Sequence, residues 1–264
     1  MRHFALAAAL ITASATSAVA ATCGNDAGGF SAWKQQFATE AAAQGVGDRG
    51  LSALANTQYA TRTINADRNQ KSFKYSLDEF LRIRGADTIV SQGRTKIANN
   101  PNFFSSLEQR YGVPASIVAT IWGMETGFGN FMGDSNVLSA ISTLAYDCRR
   151  SDFFTPHALA ALQLVDRGSL SSGTVGAMHG EVGHTQFLPG NVSRYGVDAD
   201  GNGVVDLTNQ SDALASTANF LAQKGWQRGA GFQEGQTNFA VIQQWNAAGV
   251  YQKAIAQMAG QIDG

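Results

Sequence analysis

The chain has 264 residues, 44% of them hydrophobic, and carries 19 Lys and Arg against 20 Asp and Glu, a formal net charge of −1. That length is ample for a large apolar core in one domain, or in a domain with a smaller lobe. The charge balance offers no basic field for nucleic acid or anionic lipid.

At the N-terminus, Arg2 and His3 precede an apolar run over residues 4–19 that ends in the small-residue stretch 17–21. This pattern is that of a signal peptide over 1–21, cleaved after Ala20 or Ala21. The run is too short and too rich in Ala and Ser for a spanning helix, and no later stretch approaches about 18 apolar residues. Residues 22–264 are therefore expected to be a soluble periplasmic catalytic region. Thr22 stands just before Cys23, where a lipoprotein signal wants Gly or Ala, so no membrane anchor is expected. Export makes Cys23 and Cys148 a candidate disulfide; two unpaired thiols are the alternative that spacing leaves open.

Further along, Phe30, Trp33, Phe37 and Ala41 recur at helical spacing before Gly45. Ser76-Leu77-Asp78-Glu79 reads as a capping box opening another helix. Helices are predicted over 102–110, 114–125, 155–165, 212–224 and 239–258, with Gly-rich loops near 168–183 and 225–235. Strand-like alternation is scarce, so the architecture is mainly α.

Several weak motifs fall away. Gly127-Phe128-Gly129 with Gly133 imitates a dinucleotide fingerprint but ends a helix instead of following a strand. His179 and His184 lie five apart, which does not place two zinc ligands on one helical turn. No nucleophile elbow for Ser-His-Asp hydrolysis is present, and Arg149-Arg150 reads as a solvated or salt-bridged turn.

Residues 111–129 read YGVPASIVATIWGMETGFG. Pro114 suits a first helical turn, and Val118, Trp122 and Glu125 then fall on one face. A carboxyl ending an apolar stripe is desolvated, which raises its pKa and keeps it protonated as a general acid requires. Thr126-Gly127-Phe128-Gly129 breaks the helix just beyond, leaving the carboxyl at a cleft. The competing reading is an ordinary solvated helical glutamate.

Residues 180–189 read GEVGHTQFLP, 195–203 read YGVDADGNG, and 212–226 read DALASTANFLAQKGW. With the TIWGMETGFG of 120–129 and the TLAYDCRR of 143–150, these blocks closely resemble the lytic murein transglycosylase B family, in consistent order over residues 30–260. The resemblance implies a lysozyme-like α domain holding Glu125, with a second, smaller lobe and a calcium-loop-like insertion. It implies cleavage of the β-1,4 bond between N-acetylmuramic acid and N-acetylglucosamine in peptidoglycan glycan strands. It also implies saccharide-binding roles for Gln186, Asn219, Trp245, Asn246 and Tyr251. Trp245 and Phe220 depart from family tyrosines and each loses a hydroxyl; for these two, core packing is the competing reading, as a loop-tying amide is for Gln186.

Asp198, Asp200 and Asn202, with Gly203 and the carbonyl of Val204, have the opening of a calcium loop. Asn209 stands where the closing Glu belongs. In the resembling family the closing carboxylate comes later, at the place of Asp212, and Asp206 is a possible extra ligand. The expected role of Ca2+ is structural, with no cofactor for catalysis; an Asx/Gly-rich turn is the metal-free alternative.

Three functions remain open: a transglycosylase using Glu125 alone, a lysozyme-type hydrolase, or a silent peptidoglycan binder. A hydrolase needs a second acid across the bond, for which Asp147 and Glu181 are the nearby candidates. Glu181 reads more simply as a loop residue.

Overall fold

The computed structural model describes residues 21–69 and 75–264; residues 1–20, which carry nearly all of the expected leader, lie outside the described residues. The chain begins with α1 (Phe30–Ala43), α2 (Asp48–Ala55) and α3 (Thr61–Arg68). The spaced apolar residues of α1 are its buried stripe, with Trp33 stacked on Phe37 at 4.8 Å between ring centroids. The Ser76 hydroxyl caps α4 (Leu77–Arg84), accepting from the Glu79 N–H at 3.3 Å, which is one of the two bonds of the expected capping box. α5 (Ala86–Asn99) and α6 (Pro101–Tyr111) follow.

α7 (Ala115–Thr126) is the central helix. The sequence predicts a one-sided apolar stripe there, but every residue from Ser116 to Met124 is buried. α5, α6, α11 (Gln210–Gln223) and α13 (Gly249–Asp263) all pack against it. A helix walled in on all sides is apolar all round, and that is what this sequence is. α8 (Val137–Tyr146) packs along α9 (Ser151–Arg167), and a two-residue antiparallel ribbon joins β1 (Ser135–Asn136) to β2 (Val175–Gly176). Apolar side chains from α1 through α13 join in one core. Among the described residues no helix is long and apolar enough to cross a membrane.

The single helix predicted over 239–258 is instead two, α12 (Phe239–Trp245) and α13. Asn246 is extended (φ −143°, ψ 132°), its Oδ1 accepts from the Ala248 N–H at 2.9 Å, and its carbonyl accepts from Gln252 Nε2 at 2.8 Å. An Asn side chain competes with the helix for backbone partners, and here it wins. The resulting elbow brings Trp245 and Tyr251 toward the same point.

Cys23 and Cys148 are joined in a disulfide that spans 125 residues of sequence. The Gly24 N–H donates to the Tyr146 carbonyl and the Cys148 N–H to the Gly24 carbonyl, so the start of the described chain lies against the turn after α8.

Candidate active site

α7 stops one residue after Glu125. Gly127, Phe128 and Gly129 then take three successive positive φ values (56°, 61° and 88°), which turn the chain away. Only the glycines adopt these freely; Phe128 is held there by its ring, buried edge-on against Trp122 at 5.1 Å. A Cβ at Gly129 would strike the His184 ring, so the turn sits directly on the GEVGHTQFLP segment. Trp122 Nε1 donates to His184 Nδ1 (3.0 Å) and the Thr126 hydroxyl to the His184 carbonyl (2.7 Å), fastening that segment to the helix end.

Glu125 keeps partial exposure at the residue level, yet its carboxyl is walled in on nearly every side. Oε1 accepts two hydrogen bonds, from Trp245 Nε1 (2.9 Å) and from the Tyr251 hydroxyl (2.7 Å). Oε2 has no hydrogen-bond partner among the described residues, which leaves it as the oxygen able to carry a proton. Burial raises the Glu125 pKa; the Tyr251 and Trp245 hydrogen bonds and the charge of Arg84 oppose this, and Glu181 adds to it. Burial and the adjoining Glu125 hold Tyr251 well above the ordinary phenol range, so it stays a donor.

Two recesses flank this carboxyl. One, of about 380 Å³, is lined by Glu125, Ala177, Glu181, Gln186, Phe220 and Trp245, among others. The second, of about 470 Å³, is lined by Glu125 together with Arg84, Gln92, Asn130 and Phe131.

The residues singled out from sequence separate into those at this cleft and those away from it. Gln186 lines the first recess with φ 57°, its Nε2 donating to the carbonyls of Gly183 (2.7 Å) and Met132 (3.3 Å). Asn246 lines it too, although its Oδ1 is taken by the elbow. Trp245 packs edge-on against Phe187 and Phe220, and its indole N–H supplies a donor where the sequence comparison counted a lost hydroxyl. Asn219 stands elsewhere: its Nδ2 donates to the Tyr195 carbonyl and its Oδ1 accepts from Gln223, tying α11 to α10 (Pro189–Tyr195). Asp147 is buried under Arg68 at 3.0 Å and accepts from the Arg149 N–H, away from the recesses. Glu181, read from sequence as a loop residue, faces the cleft. Arg149 and Arg150 both pair with the buried Asp67. Arg84 and Phe131 went unread because nothing local marks them; α4 and the turn after α7 bring them to Glu125.

Where the 196–209 loop meets the first turn of α11, carboxylate oxygens of Asp198, Asp200 and Asp212 lie within 4.8 Å of one another. Backbone N–H groups, that of Gly203 foremost, hold the Asp198 carboxyl below its ordinary pKa. Buried Asp212 accepts from the N–H groups of Ala199 (2.8 Å) and Asp206 (2.9 Å), and Asn202 Oδ1 accepts from the Val204 N–H. No Lys or Arg among the described residues pairs with these three acids. Converging oxygens with uncompensated negative charge fit a hard divalent cation.

The fold is lysozyme-like and mainly helical, with a buried helix-end carboxyl, Glu125, between two recesses, the first of which also holds Glu181. The family described as Transglycosylase SLT domain matches residues 29–234, and the chain belongs to that family. Membrane-bound lytic murein transglycosylase B of Escherichia coli (strain K12) is 34% identical over 123 residues, covering 46% of this chain and 34% of that protein. The match thus spans about a third of that relative's length. SltB3 from Pseudomonas aeruginosa, solved in complex with NAG-NAM-pentapeptide, superposes with a TM-score of 0.82 at 27% identity, covering 89% of this chain and 80% of that one. Escherichia coli Slt35, solved in complex with calcium, shares the fold with a TM-score of 0.76 at 22% identity, over 92% and 96% of the two chains.

Proposed function

We propose that this chain cleaves the MurNAc-GlcNAc β-1,4 bond of peptidoglycan without water, with Glu125 as the only proton carrier. The observation that carries this reading is the pair of donors on Oε1. With Trp245 and Tyr251 both donating to one oxygen, the acidic proton belongs on Oε2, and burial raises the carboxyl's pKa in favour of holding it. Oε2 gives that proton to the glycosidic oxygen as the C1–O bond breaks and its electron pair goes to the leaving sugar. The carboxylate left behind is stabilised by its two donors and takes the proton of the substrate's own C6 hydroxyl as O6 closes on C1. Attack from within the same sugar gains from proximity. The product is a 1,6-anhydro-muramic end, and Glu125 is protonated again. Gln186, whose N–H groups are committed to Met132 and Gly183, keeps its Oε1 for an acetamido N–H. The family match and the sugar-peptide ligand of SltB3 support the substrate class. Glu125→Gln tests the role: the variant is expected to bind insoluble peptidoglycan like the parent while releasing no soluble product. Release at an appreciable fraction of the parental rate would remove Glu125 from it.

The 198–212 loop is proposed to hold a structural calcium through Asp198, Asp200, Asn202, the Val204 carbonyl and Asp212; the convergence of its acids and the calcium complex of Slt35 support this. Catalysis needs no step from that ion. The pattern of residues 1–21 and the Cys23–Cys148 disulfide support export to an oxidising periplasm. Sequencing the N-terminus of the secreted protein checks it: a chain beginning at Ala21 or Thr22 is expected.

A further inference from the structure

Glu181 shares the first recess with Glu125 and is placed there by a rigid turn. The Ala177 N–H donates to the Glu181 carbonyl (2.8 Å), the Gly180 N–H donates to the Ala177 carbonyl (3.0 Å), and the Thr63 hydroxyl donates to the Met178 carbonyl (2.7 Å). Gly180 has φ 86° and no room for a Cβ against Ile141, so the turn is pressed onto α8. The Glu181 side chain is only 26% exposed. Its Oε2 accepts from the His179 N–H at 3.2 Å, its Oε1 lies 3.8 Å from His179 Nδ1, and no Lys or Arg among the described residues pairs with it.

A half-buried carboxylate in a cleft wall, with the His179 ring at 3.8 Å and no guanidinium or ammonium partner among the described residues, presents its oxygens to positive charge that arrives there. The proposed reaction brings such charge, because C1 and the ring oxygen become oxocarbenium-like as the glycosidic bond breaks. We infer that Glu181 is a second working carboxylate of the cleft, whose fixed negative charge stabilises the cationic sugar while Glu125 alone moves protons. This rests on the glycan-cleaving reading above. Atoms balance without Glu181 forming a bond: the proton leaves Glu125 for the departing oxygen and returns from the C6 hydroxyl. A preorganised charge aimed at developing charge, with no reorganisation during reaction, is the effective form of such catalysis. Glu181 has a second consequence, since its charge also favours the protonated form of Glu125, against the pull of Arg84, Trp245 and Tyr251.

The test compares the full mature chain with Glu181→Gln and Glu181→Asp on purified peptidoglycan, following rate, product ends and melting temperature. Glu181→Gln is expected to lower kcat by about 10²-fold with KM within about twofold. The ends stay anhydro, and the alkaline limb of the kcat/KM profile moves to lower pH. Glu181→Asp, which retains the charge, is expected to recover part of the rate. Parental kcat in Glu181→Gln would overturn the inference while leaving the glycan-cleaving reading intact. So would a rate loss in both variants that tracks a fall in melting temperature, or parental products with reducing ends that vanish in Glu181→Gln, which would make Glu181 a base for water. If the parent releases no anhydro ends at all, the functional reading falls first and this inference with it.

Discussion

A carboxyl that holds its proton in the folded chain and loses it sooner in the unfolded one makes stability depend on pH. Glu125 is raised chiefly by burial, so between the ordinary carboxylate pKa and its raised folded value the native state binds more protons than the unfolded chain. Stability from this group is therefore complete below the ordinary value and is lost as pH rises through the raised one. Glu125→Gln removes that loss. The melting temperature of the variant relative to the parent is predicted to grow as pH rises above the ordinary carboxylate range; a constant difference would mean that burial does not govern this carboxyl. The sequence made Glu125 legible because the ETGFG turn stops a helix at once and the surrounding blocks agree with a family. What it hid was the reason that Trp245 can stand for a tyrosine. The indole N–H is itself a donor to Glu125 Oε1, and only the position of α12 reveals that.

The elbow between α12 and α13 is the element on which this geometry depends, since Trp245 closes one helix and Tyr251 lies in the first turn of the next. A continuous helix over 239–258 would carry both along one straight axis, six residues apart, and could not fold them onto one Glu125 oxygen. Asn246→Ala removes the Oδ1 that accepts from Ala248, a loss of about 1 kcal/mol by analogy with helix N-caps. It is predicted to lower the melting temperature by a few degrees and to reduce cleavage further than that stability loss explains; parental activity in the folded variant would show that the elbow is fixed without this bond. The periodicity across 239–258 overrode Asn246 and Gly249 because apolar residues continue in register on both sides of the break. α2, α3, α5, α8 and α10 also went unread, for a different reason. α5, for instance, buries Ala86, Ile89, Val90 and Gly93 at helical spacing, but two of those are so small that the stripe is faint in sequence. Gly93 is small because α13 presses Ile262 against it, a contact no local pattern reports.

At the scale of the whole molecule, two devices tie distant chain segments to the core. The disulfide closes a span of 125 residues, worth about 5 kcal/mol of unfolded-chain entropy by the loop-closure account. The acidic loop after α10 is the other: its Leu207 carbonyl accepts from the His184 N–H, while the same His184 contacts Trp122 and the end of α7. Ion binding to the folded loop alone stabilises the chain by mass action, so millimolar calcium is predicted to raise the melting temperature and Asp198→Ala to erase the increment. An unchanged melt in the parent would reject the site. Asp198, Asp200 and Asn202 were legible in sequence by their spacing; that Asp212 closes the set came from family likeness, because the loop is longer than spacing rules describe.

The most direct test of the central claim is the mass of the glycan ends released when the mature protein digests purified peptidoglycan. With one carboxyl moving protons and the substrate's C6 hydroxyl as nucleophile, the fragments end in 1,6-anhydro-muramic acid, lighter by one water than hydrolysed ends. Predominantly reducing ends would contradict the account, and would show that a water molecule is activated in the cleft between Glu125 and Glu181.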